Sequence, residues 1–246
     1  MELCIESLDG FLKKRHRRLS GTEARQIMLH TAKGLAHLKA SNIIHRDIKT
    51  ENVMLGTDHN WKLCDFGLSL QGQQVAEISG TIYILAPELF NTEEPKFSFQ
   101  SDVFAYGVLL MHIAMNPSES RMLELSYGKV SKETVKGVQK QMARTQFPSY
   151  EDFEKKWKKL KPEKTSMSEL IKNSHIEIDD ISNLKELIMN VHLPWKEETM
   201  LCALAFVREV PANRLDITQF IGLQETRIEE PLASETHDKH SKCPIS

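Results

Sequence analysis

The stretch IIHRDIKTENVML, residues 43–55, decides the fold prediction, because it sets a group of polar side chains between two apolar segments. Those apolar segments are too short for helices and are typical of short buried strands. The stretch WKLCD, residues 61–65, predicts another strand, and GTDHN, residues 56–60, has the composition of a hairpin turn. The sequence therefore predicts a polar loop that is held between strands.

The side chains of this loop and of the DFG stretch that follows have the chemistry that phosphoryl transfer requires. Such a reaction needs an acceptor for a hydroxyl proton, a cation beside the moving phosphate and oxygen ligands for magnesium. Asp47 can accept the proton, and Lys49 can point the same way along an extended loop. Asn52 and Asp65 offer the hard oxygens that Mg²⁺ prefers.

The rest of the chain is predicted to be mainly helical. Ser20, with Glu23 three residues on, forms a capping box at the start of a helix that Asn42 stops. Residues 101–115 are apolar on every side, which indicates a buried helix. The fold class is therefore mainly α with short β-strands. The remaining predicted segments are a short helix within residues 6–18, a loop over 68–85, a helix over 198–210 that Pro211 ends, and a last short helix over 214–223.

The composition is typical of one soluble globular domain. The chain has 246 residues and a formal net charge of −2, so no overall field points to nucleic acid or to an anionic membrane. The cysteines form no C-x-x-C pair, which fits a reducing compartment. The acidic start MELCIES is unlike a signal peptide, and the longest apolar run, residues 103–115, is too short to span a bilayer. We expect a cytoplasmic protein, with the nucleus as an alternative, and neither a membrane nor a nucleic-acid partner.

Four further motifs follow the HRD-x-x-x-x-N pattern of residues 45–52 in order. They are DFG at 65–67, APE at 86–88, SD-x-F-x-Y-G at 101–107 and Pro-x-x-Arg at 211–214. With this set, the sequence resembles the C-terminal lobe of a eukaryotic protein kinase, over residues 1 to about 116 and again from about 194 to 223. Lys49 and the Gly-Thr pair before APE resemble the serine/threonine branch. Turn and capping chemistry explains each polar residue singly, but it does not explain their joint spacing.

The resemblance implies a protein-kinase-like fold, ATP and Mg²⁺ as cofactors, and a protein serine or threonine hydroxyl as the phosphate acceptor. Asp47 would be the catalytic base. Lys49 and Thr81 would brace the phosphate and the base, while Asn52 and Asp65 would hold the metal.

The N-terminal MELC matches the hinge between the two lobes of that family. The Glu2 carbonyl and the Cys4 amide would meet the adenine edge, and Leu8 and Met54 would pack under the base. Because the match begins at this hinge, the expectation is a C-terminal lobe with the small lobe missing. That lobe holds the α- and β-phosphates, so we expect this chain by itself to bind ATP weakly and to transfer phosphate slowly or not at all.

The remaining landmarks of the family imply contacts that hold the site together. Asp102 would accept hydrogen bonds from the HRD backbone and fix the loop from below. A partly buried ion pair would tie the activation segment to the last helices, a stacked ring pair would lie beside the loop, and a glycine would give the DFG backbone unusual torsions. The ion pair would be Glu88 with Arg214, the ring pair would be His45 with Phe66, and the glycine would be Gly67.

Arg46 and Glu77 form a separate hypothesis. In the family, the arginine beside the catalytic aspartate pairs with a phosphorylated residue four positions before Thr81. Glu77 stands at that position here. It is therefore a candidate for a fixed acidic substitute, and the plainer alternative is a solvated loop glutamate.

The domain prediction is a kinase-like C-lobe over residues 1–225, with a polar insertion at roughly 117–193 and a disordered tail at 226–246. The insertion, or the basic patches at residues 13–18 and 154–164, would be available to dock a protein partner. The plainer explanation of the patches is solvated helix faces.

Three functions stay open from the sequence. The first is a serine/threonine protein kinase. The second is a lobe-only pseudokinase that keeps these residues but works as a binding scaffold. The third, and the weakest, is a metal-dependent hydrolase built from Asp47, Asn52 and Asp65.

Overall fold

The computed structural model of the chain describes residues 3–14, 19–78, 81–90, 92, 94–115, 195–208 and 210–229. The predicted insertion at 117–193, the basic patch at 154–164 and Glu2 lie outside these residues. Within them, the chain forms five α-helices and seven short strands. The helices are α1 (Leu8–Lys14), α2 (Gly21–Ala40), α3 (Phe99–Met115), α4 (Trp195–Phe206) and α5 (Ile217–Glu229). The strands are β1 (Cys4–Ser7), β2 (Ile43–Ile44), β3 (Val53–Gly56), β4 (Trp61–Leu63), β5 (Leu70–Gln71), β6 (Gln74–Val75) and β7 (Lys96–Phe97).

Helix α2 begins with the capping box that the sequence predicts. The hydroxyl of Ser20 accepts a hydrogen bond from the Glu23 N–H at 3.2 Å, and the Glu23 carboxylate accepts one from the Ser20 N–H at 3.0 Å. These bonds satisfy two of the N–H groups that a helix start leaves without an intrahelical partner. After the helix, Asn42 takes a left-handed φ of 55°, a conformation that asparagine tolerates better than most residues.

Helix α3 is the buried centre of the core, as its all-round apolar sequence predicts. Tyr106 on α3 packs edge-on against Phe206 of α4 and Phe220 of α5. The Tyr106 hydroxyl donates to the Met28 carbonyl of α2 at 2.8 Å, so this buried polar group is satisfied. Three helices therefore meet a fourth around one aromatic cluster, and this core supports the polar loop of residues 45–52.

The strands after the polar loop form the predicted hairpin and continue into a sheet that the sequence did not predict. Strand β3 pairs antiparallel with β4 and also with β1, so the order is β1-β3-β4. Met54 lies opposite Ser7 on one side and Lys62 on the other. The stretch CIES is too short for its pairing to be read from its own pattern, because the register depends on the partner strand.

Three element boundaries differ from the sequence prediction. Residues 68–85 are not a continuous loop, because β5 pairs with β2 and β6 pairs with β7. Helix α4 ends at Phe206, before Pro211, which instead starts a separate 3-10 turn at Pro211–Asn213. Helix α5 runs to Glu229, so residues 226–229 are helical and the predicted boundary at 225 falls inside a helix.

Of the basic patch at 13–18, the structure describes Lys13 and Lys14, which pair with Asp9 at 2.9 Å and with Glu6 at 3.2 Å. This part of the patch is therefore compensated locally. Among the described helices, none combines the length and the apolar character needed to cross a bilayer.

Candidate active site

The polar loop is anchored from below by one buried carboxylate. Asp102, in the first turn of α3, is 1% exposed. Its Oδ2 accepts from the His45 N–H at 2.6 Å, and its Oδ1 accepts from the Arg46 N–H at 2.9 Å. Arg46 itself has a left-handed φ of 71°, a strained conformation for a long side chain. Burial raises the pKa of Asp102 to about 7, and the two backbone N–H groups and the nearby Arg46 oppose that rise.

His45 links the loop to the strand that precedes DFG. Its Nε2 lies 2.9 Å from the Cys64 carbonyl, and its Nδ1 accepts from the Asp47 N–H at 3.3 Å. This pattern fits the neutral imidazole with the proton on Nε2. The ring also packs against Phe66, with 5.0 Å between the centroids. Burial, the largest cause, lowers the pKa of His45, although the Cys64 carbonyl and the carboxylates of Asp47 and Asp65 act against it.

We expect the His45 imidazole to stay neutral in the folded protein at pH values where the same imidazole is already protonated in the unfolded chain. A second proton on Nδ1 would remove the acceptor for the Asp47 N–H. Because the folded pKa lies below the unfolded value of 6.5, His45 contributes stability above pH 6.5 that is lost as the pH falls below it.

An NMR titration of the imidazole, assigned with His45→Asn, measures this prediction directly, with the chain in urea as reference. A folded pKa at or above the value in urea would contradict it. The direct measurement is needed because Asp102, whose pKa is raised, changes total stability with the opposite sign over the range from pH 4 to pH 7.

Asp47, Lys49 and Asn52 lie together in the loop. The Asp47 Oδ2 is 2.7 Å from the Lys49 Nζ and accepts from the Asn52 Nδ2 at 2.8 Å. The same amide nitrogen donates to the Asp47 backbone carbonyl at 2.8 Å. The other carboxylate oxygen, Oδ1, is buried and accepts no hydrogen bond from any described residue. The loop therefore presents one carboxylate oxygen that is both held in place and without a partner.

Asp65 takes the unusual backbone conformation that the sequence had placed at Gly67. Asp65 has a φ of 63°, whereas Gly67 is not in the left-handed region. The Gly67 N–H instead donates to the Asp65 Oδ1 at 3.3 Å, and a Cβ at position 67 would lie 3.3 Å from that oxygen. The glycine is thus explained by a close approach to the carboxylate, and the prediction about its torsions is wrong.

The sheet brings Cys4 and Met54 to one face. Cys4 lies opposite Gly56, and Met54 is two residues from Gly56 on the same strand. Alternate residues of a strand share a face, and so do residues that lie opposite each other on paired strands. The same side of the sheet therefore carries Cys4, Met54 and the residue that follows β4, Cys64. Leu8 is not among them. It opens α1, is 0% exposed and belongs to the core, and its packing under a bound base stays a prediction.

Two expectations about the segment after DFG also change. Thr81 makes no side-chain hydrogen bond to Asp47 or Lys49 in the described part of the chain; it precedes the 3-10 turn Ile82–Ile84, and its carbonyl accepts the Ile84 N–H. Arg46 does face Glu77, but its Nη2 donates to the Glu77 backbone carbonyl at 2.6 Å. The Glu77 side chain is exposed, and within the described residues it forms no ion pair with Arg46, so the acidic-substitute hypothesis stays a prediction.

Glu88 and Arg214 form a bidentate ion pair. The Arg214 Nη1 and Nη2 lie 2.8 Å and 2.5 Å from the two carboxylate oxygens. Arg214 also donates to the backbone carbonyls of Gln100 and Arg208. The APE motif and the turn before α5 are therefore joined through a buried guanidinium, although they are far apart in sequence.

Sequence reasoning missed two partners of Arg46. The Leu68 carbonyl accepts from its Nη1 at 3.2 Å, and the Phe97 ring lies under the guanidinium at 4.2 Å. A backbone carbonyl carries no residue-specific signal, and Phe97 lies far from Arg46 in the sequence. Neither partner could be found from the local pattern.

The oxygens of the loop suit a cation only if other ligands complete the shell. Beyond the orphan oxygen of Asp47, the Asn52 Oδ1 and the Asp65 Oδ2 accept no hydrogen bond from described residues. The described residues contain no group of three or more His, Cys, Asp or Glu side chains that would hold a metal ion by themselves. Donors of this type fit Mg²⁺ that keeps water and phosphate oxygens as ligands.

Comparisons with known proteins agree on one family. The model of the protein kinase domain matches residues 1–175. A curated relative, the RAF proto-oncogene serine/threonine-protein kinase of Xenopus laevis, is 40% identical over 94 residues, which is 35% of this chain and 15% of that protein. The chain thus spans a small part of the relative that it matches.

Proposed function

This chain belongs to the protein kinase family, and from that premise we propose that it transfers the γ-phosphoryl group of ATP to a serine or threonine hydroxyl of a protein. Members of this family generally use ATP and Mg²⁺. The proposed base is Asp47. The relative named above is a serine/threonine kinase, which supports that branch, as does Lys49 two residues after Asp47.

The observation that carries the proposal is the orphan oxygen of Asp47. A buried acceptor without a hydrogen bond costs about 1–3 kcal/mol, and here the cost falls on Oδ1 while Oδ2 is fully engaged. A substrate hydroxyl would donate to Oδ1 and remove that cost. The same contact positions the carboxylate to take the hydroxyl proton as the oxygen becomes a nucleophile.

The neighbouring residues supply the positive charge and the cation ligands. Lys49 holds its ammonium beside Asp47, where it would meet the developing charge of a transferred phosphoryl group. Asn52 and Asp65 would hold Mg²⁺ through the oxygens that accept no other hydrogen bond. When bound, the metal neutralises phosphate charge, which is the main requirement of phosphoryl transfer.

The proposed place for the base of the nucleotide is the sheet face that carries Cys4 and Met54. The edge of β1 that no described strand pairs with would offer main-chain groups to a planar ligand. Met54 is half-buried on that face, so it can pack against a ring while keeping its place in the strand.

The replacement Asp47→Asn tests the proposal. It keeps the shape of the side chain but removes the base, so we expect the transfer of labelled γ-phosphate to a generic serine/threonine substrate to fall about 10²–10⁴-fold. The matched control is Asp58→Asn, which makes the same chemical change at an exposed hairpin residue paired with Lys62. Its rate should equal that of the unchanged chain.

Equal rates for Asp47→Asn and the control would contradict the proposed role of Asp47. If the unchanged chain transfers no phosphate but Mg²⁺-ATP raises its melting temperature, the scaffold function would be favoured over the enzyme.

A further inference from the structure

One histidine side chain joins helix α2 to the hairpin of β3 and β4. The Nδ1 of His30, in the middle of α2, accepts a hydrogen bond from the Trp61 N–H at 3.3 Å. One turn further along α2, a Cβ at Gly34 would lie 3.4 Å from the Leu63 Cδ1. Because residues four apart on a helix share a face, one face of α2 contacts both the first and the last residue of β4.

The Trp61 N–H needs an acceptor outside its own sheet. Strand β4 is the last strand in the order β1-β3-β4 of the described residues, and Trp61 is 7% exposed, with its ring 5.3 Å from that of Phe11 on α1. A main-chain N–H that is buried without an acceptor costs free energy. His30 therefore supplies the acceptor that a further strand would otherwise give. We call this hydrogen bond the β4 latch.

Strand β4 leads directly to one of the proposed metal ligands. The Cys64 N–H donates to the Asn52 carbonyl at 3.0 Å, and the next residue is Asp65. The β4 latch thus fixes the start of the strand, and the Asn52 carbonyl fixes the chain just after its end. The position of Asp65 relative to Asn52 depends on β4 keeping its place against α2.

The β4 latch can form only with the neutral imidazole. When the proton is on Nε2, the Nδ1 of His30 carries a lone pair that accepts from the Trp61 N–H. A second proton makes both ring nitrogens donors, so Nδ1–H would face the Trp61 N–H. Protonation therefore breaks the hydrogen bond and sets two donors against each other.

Among the described residues, two charged groups act on His30 with opposite signs. Burial, the largest cause, and the ammonium of Lys33 on the same helix lower the pKa of His30, while Asp58 in the hairpin turn opposes them. Lys33 is paired with Glu225, and Asp58 with Lys62, each at 2.8 Å. Opening the latch exposes the imidazole and returns its pKa towards 6.5, so a fall in pH below that value favours the open form.

We propose that His30 is a proton-sensitive positioning residue, whose neutral imidazole holds β4 on α2 and whose protonated form releases it. The latch itself does not depend on the proposed function. Its consequence for phosphate transfer rests on that function, because it acts through Asp65. Acidification loosens β4, shifts Asp65 relative to Asn52 and slows the transfer, and it does so without a bound regulator.

Hydrogen–deuterium exchange of the full chain, detected by NMR, tests the latch at the Trp61 amide. Its protection factor, corrected for the pH dependence of exchange in an unstructured peptide, is compared at about pH 7.5 and about pH 5. We expect it to fall about tenfold at the lower pH. The Leu215 N–H, which donates to the Ala205 carbonyl at 3.1 Å, is the control for global unfolding.

Three variants isolate the titrating group. In His30→Asn, the side-chain Oδ1 stands where Nδ1 stood and accepts a hydrogen bond but no proton, so we expect the Trp61 protection to be equal at both pH values. His30→Leu removes the acceptor and should lower that protection about tenfold at the higher pH. The matched control is His37→Asn, the same change at an exposed position of α2, which should keep the pH dependence of the unchanged chain.

The proposal is overturned if the Trp61 protection still falls at low pH in His30→Asn while that of Leu215 is steady, because another group then carries the effect. It is also overturned if the unchanged chain shows no fall, or if His30→Leu keeps full protection at the higher pH. Should His30→Leu fail to fold, the comparison of His30→Asn with His37→Asn carries the test.

A second readout connects the latch to catalysis. The ratio of the phosphate-transfer rate at about pH 5.5 to that at about pH 7.5 should be about threefold higher in His30→Asn than in His37→Asn. Equal ratios would show that β4 does not set the position of Asp65. If the unchanged chain transfers no phosphate, the proposed function fails, and the exchange measurement alone still decides the latch.

Discussion

Replacing Arg214 with methionine is expected to lower the free energy of unfolding by about 3–5 kcal/mol, the loss that follows when one partner of a buried ion pair is removed. The Arg214 side chain is 0% exposed and donates to both oxygens of Glu88. Without it, the Glu88 carboxylate loses its counter-charge, and the Gln100 and Arg208 carbonyls lose a donor. Urea unfolding followed by circular dichroism measures the change.

The control for Arg214 is an exposed ion pair that also joins distant parts of the chain. Lys39 of α2 lies 2.9 Å from Asp216, and the two side chains are 43% and 39% exposed. We expect Lys39→Met to cost less than about 1 kcal/mol, because solvent screens such a pair. Equal losses for the two variants would show that burial does not decide the strength of the Arg214 pair.

A double replacement refines this test. Changing Glu88 to leucine in the Arg214→Met background removes the charge that was left alone. We expect it to recover part of the lost stability, since an apolar pair of similar volume can replace a buried ion pair. A further loss on adding Glu88→Leu would mean that Glu88 has an independent role.

The replacement Gly107→Ala is expected to destabilise the protein by about 2–3 kcal/mol, because overpacking of a close contact outweighs the better helix propensity of alanine. A Cβ at position 107 would lie 2.7 Å from the Phe206 Cβ and from the Val207 Cγ2, and 3.0 Å from the Ala203 carbonyl oxygen. The Phe206 Cβ and the carbonyl are fixed to the backbone of α4, so α3 and α4 would have to move apart.

Gly222 on α5 provides the matched control. It lies in a helix like Gly107, but, beyond its own helix backbone and chain neighbours, no atom of the described residues stands within 4 Å of a Cβ added there. We therefore expect Gly222→Ala to raise stability by about 0.5–1 kcal/mol through helix propensity alone. Thermal unfolding of both variants decides the question, and a neutral Gly107→Ala would show that α3 and α4 can separate at no cost.

The local features of this fold were predictable because neighbouring residues specify them. The capping box of Ser20 and Glu23 acts over three positions, and the all-round apolar character of α3 indicates burial without knowledge of the partners. The hairpin of β3 and β4 has its turn chemistry between the strands. The pairing of β6 with β7 was missed, because two-residue strands far apart in sequence leave no periodic signal.

The candidate site divides in the same way. The identities of Asp47, Lys49, Asn52 and Asp65 and their chemistry follow from the motif order. The motif order does not show which oxygen of Asp47 is left without a hydrogen-bond partner, because that depends on where the Lys49 and Asn52 side chains lie. The left-handed φ of Asp65 also had no signature in the sequence, since glycine, present nearby at position 67, is the more permissive residue.

By itself, the sequence determined the fold class, the order of the kinase motifs and the residue types that the site contains, because these are properties of local pattern and spacing. Only the tertiary structure decided that Arg46 binds the carbonyls of Leu68 and Glu77 and not the Glu77 carboxylate. The physical reason is that every residue carries the same main-chain acceptors, so the folded positions of the chain select which carbonyl a side chain reaches.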